Sequence, residues 1–227
     1  MRSVYAAKSR TLWLPALLAA RPPARLGLGA QCSLSTVADE VWRPLPAASD
    51  TQALAAELAS LARAGDAFLL YGGYGAGKTC FAQGFIRAWL GDPVGLYVTS
   101  PSYLIDNTYP DEDGSAMQPG VTVHHMDLWR LPEGKVGQLV DLPQVFSECV
   151  SLIEWPERLR DDEVPASANT LEVHLTLDDA AAAIVADPVA AAEAIEEGLD
   201  LQRWVRLVPR SQSWEQRLRT LSGERAP

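Results

Sequence analysis

The sequence predicts an α/β fold in which helices flank one central mixed β-sheet. Short apolar segments rich in β-branched and aromatic residues recur along the chain, and segments with helical periodicity separate several of them. A glycine-rich loop also lies directly between an apolar strand and a helix. With 227 residues and 48% hydrophobic content, the chain can bury one core but leaves little room for a second domain. We therefore predict a single domain over residues 39–210, followed by a C-terminal tail over residues 211–227.

The first element predicted in this domain is an amphipathic helix within residues 49–65, SDTQALAAELASLARAG. Ser49 or Asp50 is a suitable N-cap, and Gly65 stands where a C′ glycine belongs. The apolar face repeats at helical spacing and consists of Leu54, Leu58 and Leu61.

The next two elements enclose the glycine-rich loop. Residues 67–73, AFLLYGG, predict a strand, and residues 78–91, KTCFAQGFIRAWLG, predict a helix. The residues between and around them match G-x-x-x-x-G-K-[ST], and we predict that they bind a nucleotide. They are Gly72, Gly73, Tyr74, Gly75, Ala76, Gly77, Lys78 and Thr79. Because strand, loop and helix follow in the order that a phosphate loop requires, the predicted domain is P-loop NTPase-like.

The chemistry of this loop predicts Mg²⁺ and a nucleotide that carries β- and γ-phosphates. Glycines allow the backbone N–H groups to turn inward around phosphate oxygens, and the helix N-terminus favours an anion. We predict that Lys78 bridges the β- and γ-phosphates and takes part in catalysis. The Thr79 hydroxyl is predicted to be a metal ligand, with water and phosphate oxygens completing the Mg²⁺ shell.

Five further apolar segments are predicted as strands because each is short and rich in β-branched or aromatic residues. They are GLYVTS at 95–100, VTVHHMD at 121–127, CVSLIEW at 149–155, TLEVHLTL at 170–177 and RWVRLVP at 203–209. Two other segments resemble insertions that we expect to be solvated. One is the acidic loop at 110–120, and the other is an alanine and acid tract at about 179–199 that Pro188 is expected to split into short helices.

Two carboxylates end predicted strands and are candidates for the metal and for catalysis. Asp127 ends VTVHHMD, and Glu154 ends the apolar part of VSLIEW. Either could hold Mg²⁺ while the other orients the attacking water. His124 and His125 are not expected to be ligands, because strand alternation directs one of them into the core and the other outward.

Charge is divided unevenly along the chain. The first 38 residues contain five of the 19 Lys and Arg and no acid, so they carry a charge of about +5 ahead of a body of about −15. This acid-free leader predicts an organelle transit peptide, for a mitochondrion or a plastid, whereas a cytoplasmic location is the alternative. The acidic body is a poor candidate to bind nucleic acid by itself.

Cysteine usage and hydropathy exclude two further classes of protein. Cys32, Cys80 and Cys149 show no CxxC spacing, so neither a disulfide framework nor a zinc site is predicted, and a reducing compartment is expected. The longest apolar run, Leu12 to Ala20, contains Pro15 and falls well short of the ~20 residues needed to span a bilayer. No membrane span is predicted.

Four motifs together resemble those of the TsaE (YjeE) family in order and approximate spacing. They are GGYGAGKTCFAQGFIRAWLG, TSPSYLIDNTY, HHMDLWRLPE and SLIEWPERL, and the resemblance covers roughly residues 50–159. By position, Ser100, Pro101 and Ser102 resemble the S-P-T switch-like segment of this family. Asp127 matches the aspartate of its H-x-D-L-Y-R-L motif, and Glu154 matches the Mg²⁺-binding glutamate of its E-W-P motif.

The resemblance implies a function and a division of roles. It implies a P-loop ATPase needed for threonylcarbamoylation of adenosine 37 in tRNAs that read codons beginning with A. The implied partners are TsaD-type and TsaB-type proteins, with tRNA engaged only indirectly. It assigns Glu154 to the metal, Asp127 to catalysis, and Ser102 to the switch-like segment as a further catalytic residue. The chain departs from the family pattern at Gly73, where a small polar residue is usual, and at Ser102 and Trp129, which replace Thr and Tyr.

Two other functions share the same loop motif. A small-molecule kinase would need an arginine-bearing lid over the phosphates, and PERLR at 156–160 is too short to form one. A nucleotide-dependent scaffold without turnover is the other alternative. No arginine lies in the phosphate loop or in TSPSY, and Arg130 and Arg158 lie beyond the acidic motifs. We therefore predict slow hydrolysis by the protein alone and activation by a partner.

Overall fold

A mixed sheet of seven strands forms the centre of the part of the chain that the computed structural model describes, residues 40–91, 95–187 and 199–221. The strands are β1 Val41–Leu45, β2 Asp66–Tyr71, β3 Asp106–Tyr109, β4 Val123–Asp127, β5 Val150–Glu154, β6 Asn169–Leu177 and β7 Arg203–Pro209. Their order in the sheet is β1-β7-β6-β2-β5-β4-β3. The predicted leader, residues 1–38, lies outside the described residues.

Five α-helices accompany these strands in the described ranges: α1 Ala48–Leu61, α2 Lys78–Trp89, α3 Leu142–Glu148, α4 Asp179–Ala186 and α5 Gln212–Leu221. Short 3-10 turns occupy Val136–Gln138 and Pro156–Arg158. The predicted α/β class with helices flanking a mixed sheet is therefore confirmed. No helix in these ranges has both the length and the apolar character that a membrane crossing requires.

Parallel pairing at the centre of the sheet gathers the carboxyl ends of four strands at one edge. β2 pairs in parallel with β5 and with β6, and β4 pairs in parallel with β5. The carboxyl end of β2 continues into the glycine-rich loop, and Asp127 of β4 stands in register with Glu154 of β5. Because β1, β3 and β7 pair antiparallel, the sheet is mixed rather than parallel throughout.

Two apolar clusters hold the helices on opposite faces of the sheet. The larger cluster joins α1, α2 and α5 to one face, and its largest side chains are Phe68, Phe81, Phe85, Trp89 and Trp214, all fully buried. The smaller cluster joins α3 and the short turns to the other face through residues that include Leu69, Met126, Phe146 and Ile153. The phosphate-loop helix α2 is thus anchored by aromatic packing along its whole length.

One predicted strand, GLYVTS, is wrong. Residues 95–100 form no strand, because side chains of α2 take the backbone carbonyls that a neighbouring strand would use. The Val98 carbonyl accepts a hydrogen bond from Gln83 Nε2 at 2.9 Å, and the Leu96 carbonyl accepts one from Arg87 Nε at 3.2 Å. Two strands that were not predicted, β1 and β3, lie at the edges of the sheet.

The predicted ends of α1 also need correction. Helix α1 begins at Ala48 with Ala47 as its N-cap, so neither Ser49 nor Asp50 is the cap. Asp50 lies in the first turn instead, where its Oδ2 accepts a hydrogen bond from the Ala47 N–H at 2.8 Å. The helix ends at Leu61, and Gly65, with φ of 83°, forms the turn into β2 rather than a C′ cap.

The segment predicted as a C-terminal tail contains α5 and belongs to the domain. Trp214 of α5 is fully buried against Phe68, with ring centroids 5.1 Å apart. Arg217 forms a bidentate ion pair with Asp66 at the start of β2, with nitrogen to oxygen distances of 2.5 and 2.9 Å. Asp66 is fully buried and Arg217 is 8% exposed. The predicted boundary at residue 210 is therefore wrong, since the packed structure continues to Leu221.

We predict that replacing Arg217 with Ala lowers the free energy of unfolding by about 3 kcal/mol, because the substitution leaves the Asp66 carboxylate buried without its counter-charge. Urea unfolding followed by circular dichroism measures this difference. Arg219→Ala is the matched control, since Arg219 is an exposed arginine on the same helix. A loss of less than about 1 kcal/mol for Arg217→Ala would show that the buried ion pair adds little to the stability of the domain.

The two predicted insertions differ from the expectation that both are solvated. Residues 110–120 are largely exposed, but the Met117 N–H donates to the Trp89 carbonyl and caps the end of α2. Helix α4, the first part of the alanine and acid tract, packs against the protein with Ala181 only 3% exposed. It ends at Ala186, two residues before Pro188, whereas residues 188–198 lie outside the described part of the chain.

Candidate functional site

The glycine-rich loop connects β2 to α2 in a conformation that explains its glycines. Gly77 is the N-cap of α2 and has φ of 102°, a left-handed value that side chains rarely adopt. A Cβ atom at Gly72 would lie 2.5 Å from the Leu175 carbonyl oxygen, so no larger residue fits there. The loop therefore begins and ends at positions that require glycine and leads directly into a helix N-terminus, which is the geometry of an anion site.

Lys78 is held inside this loop. Its side chain is nearly buried, and its Nζ donates to the carbonyl oxygens of Gly72 and Gly73 at 2.7 and 2.8 Å. Burial lowers the pKa of the ammonium group, while the nearby carboxylates of Glu154 and Asp127 oppose that shift. The lysine is thus positioned at the loop and faces two carboxylates, as the predicted phosphate and metal chemistry requires.

The Trp155 ring packs against the Lys78 ammonium group, and no sequence pattern predicted this contact. The Lys78 Nζ lies 3.8 Å from the Trp155 ring centroid, a cation–π contact. Trp155 has φ of 59° and ψ of 51°, a left-handed conformation that costs roughly 1–2 kcal/mol for a residue other than glycine. It immediately follows Glu154 and precedes Pro156, so this turn fixes the tryptophan ring and the carboxylate together. Strain at such a position is typical of functional sites.

Glu154 and Thr79 bring two oxygen donors together. Glu154 is 2% exposed, and its Oε1 accepts a hydrogen bond from Thr79 Oγ1 at 2.9 Å. His125 Nε2 lies 2.9 Å from the same carboxylate oxygen and is fully buried. The prediction that one histidine of the pair faces the core is confirmed, but its contact with Glu154 was not foreseen. His124 instead pairs with Asp106 at 2.8 Å, away from Glu154.

The donor set suits Mg²⁺ bound together with a nucleotide. Within the described ranges, no group of three or more His, Cys, Asp or Glu side chains is arranged to hold a metal by itself. Mg²⁺ commonly takes only one or two protein oxygens and fills its octahedron with water and phosphate oxygens. The hydroxyl of Thr79 and the carboxylate of Glu154 fit that requirement.

Asp127 is oriented by two donors. Its Oδ2 accepts a hydrogen bond from Ser100 Oγ at 2.7 Å, and its Oδ1 accepts one from the Trp129 N–H at 3.1 Å. The residue is 6% exposed and stands beside Glu154 in the sheet register. Within the S-P-S segment, Ser100 therefore contacts Asp127, whereas Ser102 lines a cavity that Asp127 also lines. The catalytic role of Ser102 stays a prediction.

These groups face one cavity of about 550 Å³. Of the predicted site residues, those that line it are Tyr74, Gly75, Gly77, Lys78, Thr79, Ser102, Asp127 and Glu154. Gly72, Gly73 and Ala76 line a second cavity together with the end of β6 and part of α4. Tyr103, Trp129 and Trp155 form much of the remaining wall, and both Tyr74 and Tyr103 are more than four-fifths exposed.

Arginine is closer to the phosphate loop than the sequence suggested. Arg130 lines the cavity, with its guanidinium 4.5 Å from the Tyr103 ring centroid. Arg203, the first residue of β7, lies against Gly77, so that a Cβ atom there would be 3.1 Å from Arg203 Nε. That Nε is buried without a hydrogen-bond partner in the described part of the chain. Sequence spacing could not reveal this contact, because more than 120 residues separate Gly77 from Arg203.

Comparison with known proteins identifies similar chains. A family model described as "Threonylcarbamoyl adenosine biosynthesis protein TsaE" matches residues 45–183. A tRNA threonylcarbamoyladenosine biosynthesis protein TsaE from Streptomyces coelicolor is 35% identical over 108 residues, which cover 46% of this chain and 66% of the relative, just under two thirds. The protein of that name from Aquifex aeolicus is 30% identical over 115 residues, 50% of this chain and 75% of the relative.

A solved structure shares the fold. The crystal structure of YdiB from Bacillus subtilis superimposes with a TM-score of 0.56 at 21% sequence identity. The superposition covers 82% of this chain and 95% of YdiB. It supports the arrangement of the sheet and its helices independently of the sequence motifs.

Proposed function

This chain belongs to the TsaE family of threonylcarbamoyl adenosine biosynthesis proteins, and we propose that it binds and hydrolyses ATP with Mg²⁺ to support that modification of tRNA. The observation that carries the proposal is the convergence of four side chains on one cavity at the carboxyl ends of three strands. They are Lys78, Thr79, Asp127 and Glu154. A P-loop ATPase needs three parts: a loop that binds phosphate, a pair of metal donors and an oriented carboxylate.

The loop and Lys78 would bind the phosphates. Backbone N–H groups at the start of α2 supply neutral donors, and the Lys78 ammonium supplies charge toward the β- and γ-phosphates. Thr79 and Glu154 would hold Mg²⁺, which when bound neutralises charge on the phosphate oxygens. His125 Nε2 lies 2.9 Å from Glu154 Oε1 and would help to orient that carboxylate toward the metal.

Asp127 would orient the attacking water and accept its proton. Its two hydrogen bonds, from Ser100 and from the Trp129 N–H, fix the plane of the carboxylate. Ser100 belongs to the switch-like segment, so a movement of that segment would move the catalytic carboxylate as well. A partner that binds and moves this segment would therefore change the rate of hydrolysis through the contact between Ser100 and Asp127.

We predict that Glu154→Gln weakens the Mg²⁺ dependence of ATP binding by about tenfold or more, because the amide keeps a contact with Thr79 but removes the negative charge. Titration calorimetry with ATP, with and without Mg²⁺, measures the effect. Glu157→Gln is the matched control, since Glu157 is an exposed glutamate three residues away. If Asp127→Asn instead abolished the Mg²⁺ dependence while Glu154→Gln left it intact, the roles of the two carboxylates would be interchanged.

TsaD-type and TsaB-type proteins are the proposed partners, and tRNA is engaged only through them. Exposed apolar side chains lie next to the site, with Tyr103 83%, Leu104 74% and Trp129 51% exposed. Arg130 lines the cavity and its guanidinium lies over the Tyr103 ring, so a partner that binds Tyr103 would also move this arginine. The strong negative charge of the protein, −10 overall, supports an indirect role toward tRNA.

The decisive experiment has two parts. Steady-state phosphate release is measured for the protein alone and with its TsaD-type and TsaB-type partners, and tRNA nucleosides are analysed in cells that lack the gene. We expect a rate below the ~1 s⁻¹ low end of typical enzymes for the protein alone. The partners should raise it, and threonylcarbamoyladenosine should fall in the deletion strain. Unaltered nucleoside levels would refute the pathway role, and transfer of phosphate to a small acceptor would favour a kinase.

A further inference from the structure

Another cavity, of about 490 Å³, lies beside β3, the strand at one edge of the sheet. It is enclosed by the turn before β3, by β4, and by the start of α3 with the residues that precede this helix. None of its lining residues belongs to the two cavities at the phosphate loop. We call it the β3 cavity, and nothing in the proposed chemistry of ATP hydrolysis uses it directly.

The polar groups of the β3 cavity are mainly acceptors. His124 donates from Nδ1 to Asp106 Oδ2 at 2.8 Å, so the neutral imidazole keeps Nε2 as a free acceptor. The other carboxylate oxygen, Asp106 Oδ1, is buried and has no hydrogen-bond partner in the described part of the chain. Asp141 adds a second carboxylate, and no lysine or arginine is among the described residues that line the cavity. Because a buried acceptor without a donor is costly, the cavity favours a cationic ligand that brings N–H groups.

Apolar side chains form the rest of the β3 cavity and of its rim. Val140 and Val145 line it, and two leucines at the rim are largely exposed, Leu104 by 74% and Leu139 by 59%. The neighbouring Tyr103, 83% exposed, extends this apolar rim to the cavity that contains Lys78. A small solute would leave both leucines in water, whereas a protein surface laid over the cavity would cover them.

We propose that the β3 cavity receives an arginine side chain of the protein that activates ATP hydrolysis. The assignment rests on the proposed function, because it requires a protein partner that binds beside the active site. An arginine fits both parts of the cavity, since its methylene stem can pack on the apolar walls while its guanidinium offers five N–H donors to the acceptors. A lysine brings the same charge as a compact ammonium and matches acceptors on separate residues less well. The two carboxylates, of Asp106 and Asp141, supply the charge complementarity.

A wall of the β3 cavity is connected to the proposed catalytic residue. Leu104 and Ile105 close a turn in which both backbone N–H groups donate to the Pro101 carbonyl, at 2.9 and 2.6 Å. The Ile105 carbonyl in turn accepts a hydrogen bond from the Asp127 N–H at 2.9 Å. Ile105 has φ of 72°, which a β-branched residue rarely adopts, so the surrounding contacts must hold the turn in this conformation. An arginine in the cavity would therefore contact the same turn that holds the backbone of Asp127.

Asp141→Asn tests the charge of the cavity. The amide removes the negative charge, while its oxygen can still cap α3 as Asp141 Oδ1 does toward the Gln144 N–H at 3.3 Å. Affinity of the full chain for the TsaD-type and TsaB-type proteins should fall by about tenfold or more, the scale of one close charge pair at an interface. ATP binding and hydrolysis by the protein alone should change by less than about twofold. Asp161→Asn is the matched control, since Asp161 is an exposed aspartate that does not line the cavity.

Leu139→Ser tests the apolar rim without changing any charge or any buried side chain. It should weaken partner binding by about fivefold or more, because the leucine is available to be covered at the interface. Leu199→Ser is its control, since Leu199 is 53% exposed and lies outside the cavity. In both cavity variants, the partner concentration that gives half-maximal stimulation of phosphate release should rise by the same factor as the dissociation constant.

Arginine-to-glutamine variants of the partner proteins identify the inserted side chain. One of them should lose affinity for the unmodified chain and lose little more for Asp141→Asn, so that the two losses are not additive. If every partner arginine were additive with Asp141→Asn, or if a lysine showed the coupling instead, the assignment to arginine would be overturned.

The remaining outcomes separate this assignment from the proposed function. Unchanged partner affinity in both Asp141→Asn and Leu139→Ser would overturn the β3 cavity as a docking site, while stimulation of the unmodified protein would leave the proposed function intact. A change in the oligomeric state of the protein alone, without a change in partner affinity, would identify a second copy as the occupant and overturn the proposal. If the unmodified protein bound ATP but not the partner proteins, the partnership and the role of the cavity would fail together.

Discussion

Replacing Asp127 with Asn should reduce ATP hydrolysis by about 10² or more while the protein still binds ATP and Mg²⁺, because a positioned general base typically contributes 10²–10⁴ in rate. The amide oxygen can still accept a hydrogen bond from the Trp129 N–H, and the amide NH2 can donate to the Ser100 hydroxyl, so the local structure should persist. It cannot take a proton from water at neutral pH. Binding and turnover should therefore separate in this variant.

Single-turnover hydrolysis and calorimetric ATP binding, measured on the same protein, test that separation. Asp113→Asn is a suitable control, because Asp113 is an exposed aspartate in the loop at 110–120. Ser100→Ala should give a smaller decrease, since Asp127 would lose one of its two orienting donors and keep its charge. Full activity in Asp127→Asn would remove this residue from catalysis and leave Mg²⁺ and the loop to account for hydrolysis.

The central strands could be predicted from the sequence because their environment leaves a simple pattern. β2 and β5 pair in parallel and are buried, so each appears as a short, mostly apolar run, whereas β4, with the sequence VHHMD, was found from the β-branched residues at the start of VTVHHMD. The edge strands β1 and β3 do not form apolar runs, since an edge tolerates polar residues and even proline, as at Pro44. Helix α5 escaped prediction for a related reason, because its sequence QSWEQRLRTL is mostly polar and only a few of its side chains are buried.

The candidate site was predictable where one short segment carries the chemistry. The phosphate loop is contiguous, and Asp127 and Glu154 end recognisable strands, so all three were found from the sequence. Contacts between distant segments were not predicted, because the order of residues along the chain does not show which strand ends lie next to each other. Arg203 beside Gly77 and His125 beside Glu154 both depend on the order of strands in the sheet. The left-handed turn at Trp155 likewise follows from tertiary packing, since a residue before proline ordinarily favours an extended conformation.

Lys78→Ala is expected to abolish detectable ATP binding, the largest effect anticipated for any single substitution in the site. The ammonium group lies among backbone carbonyls and an aromatic ring at the loop, where it can exchange these contacts for phosphate oxygens of much greater charge. Hydrogen bonds between charged groups are about twice as strong as neutral ones, and a partly buried site screens them little. Removing the ammonium also leaves Mg²⁺ alone to offset the repulsion between the phosphates and the carboxylates of Asp127 and Glu154.

Calorimetric titration with ATP and Mg²⁺ measures the loss, and circular dichroism establishes that the fold is retained. Lys135→Ala is the matched control, because Lys135 is an exposed lysine outside the cavity and its removal changes the net charge equally. Should Lys78→Ala bind ATP as tightly as Lys135→Ala, the anion site at the start of α2 would have to act through backbone N–H groups alone. In that case the position of Lys78 over Trp155 would serve the turn that carries Glu154, and the lysine would be a structural residue of the loop.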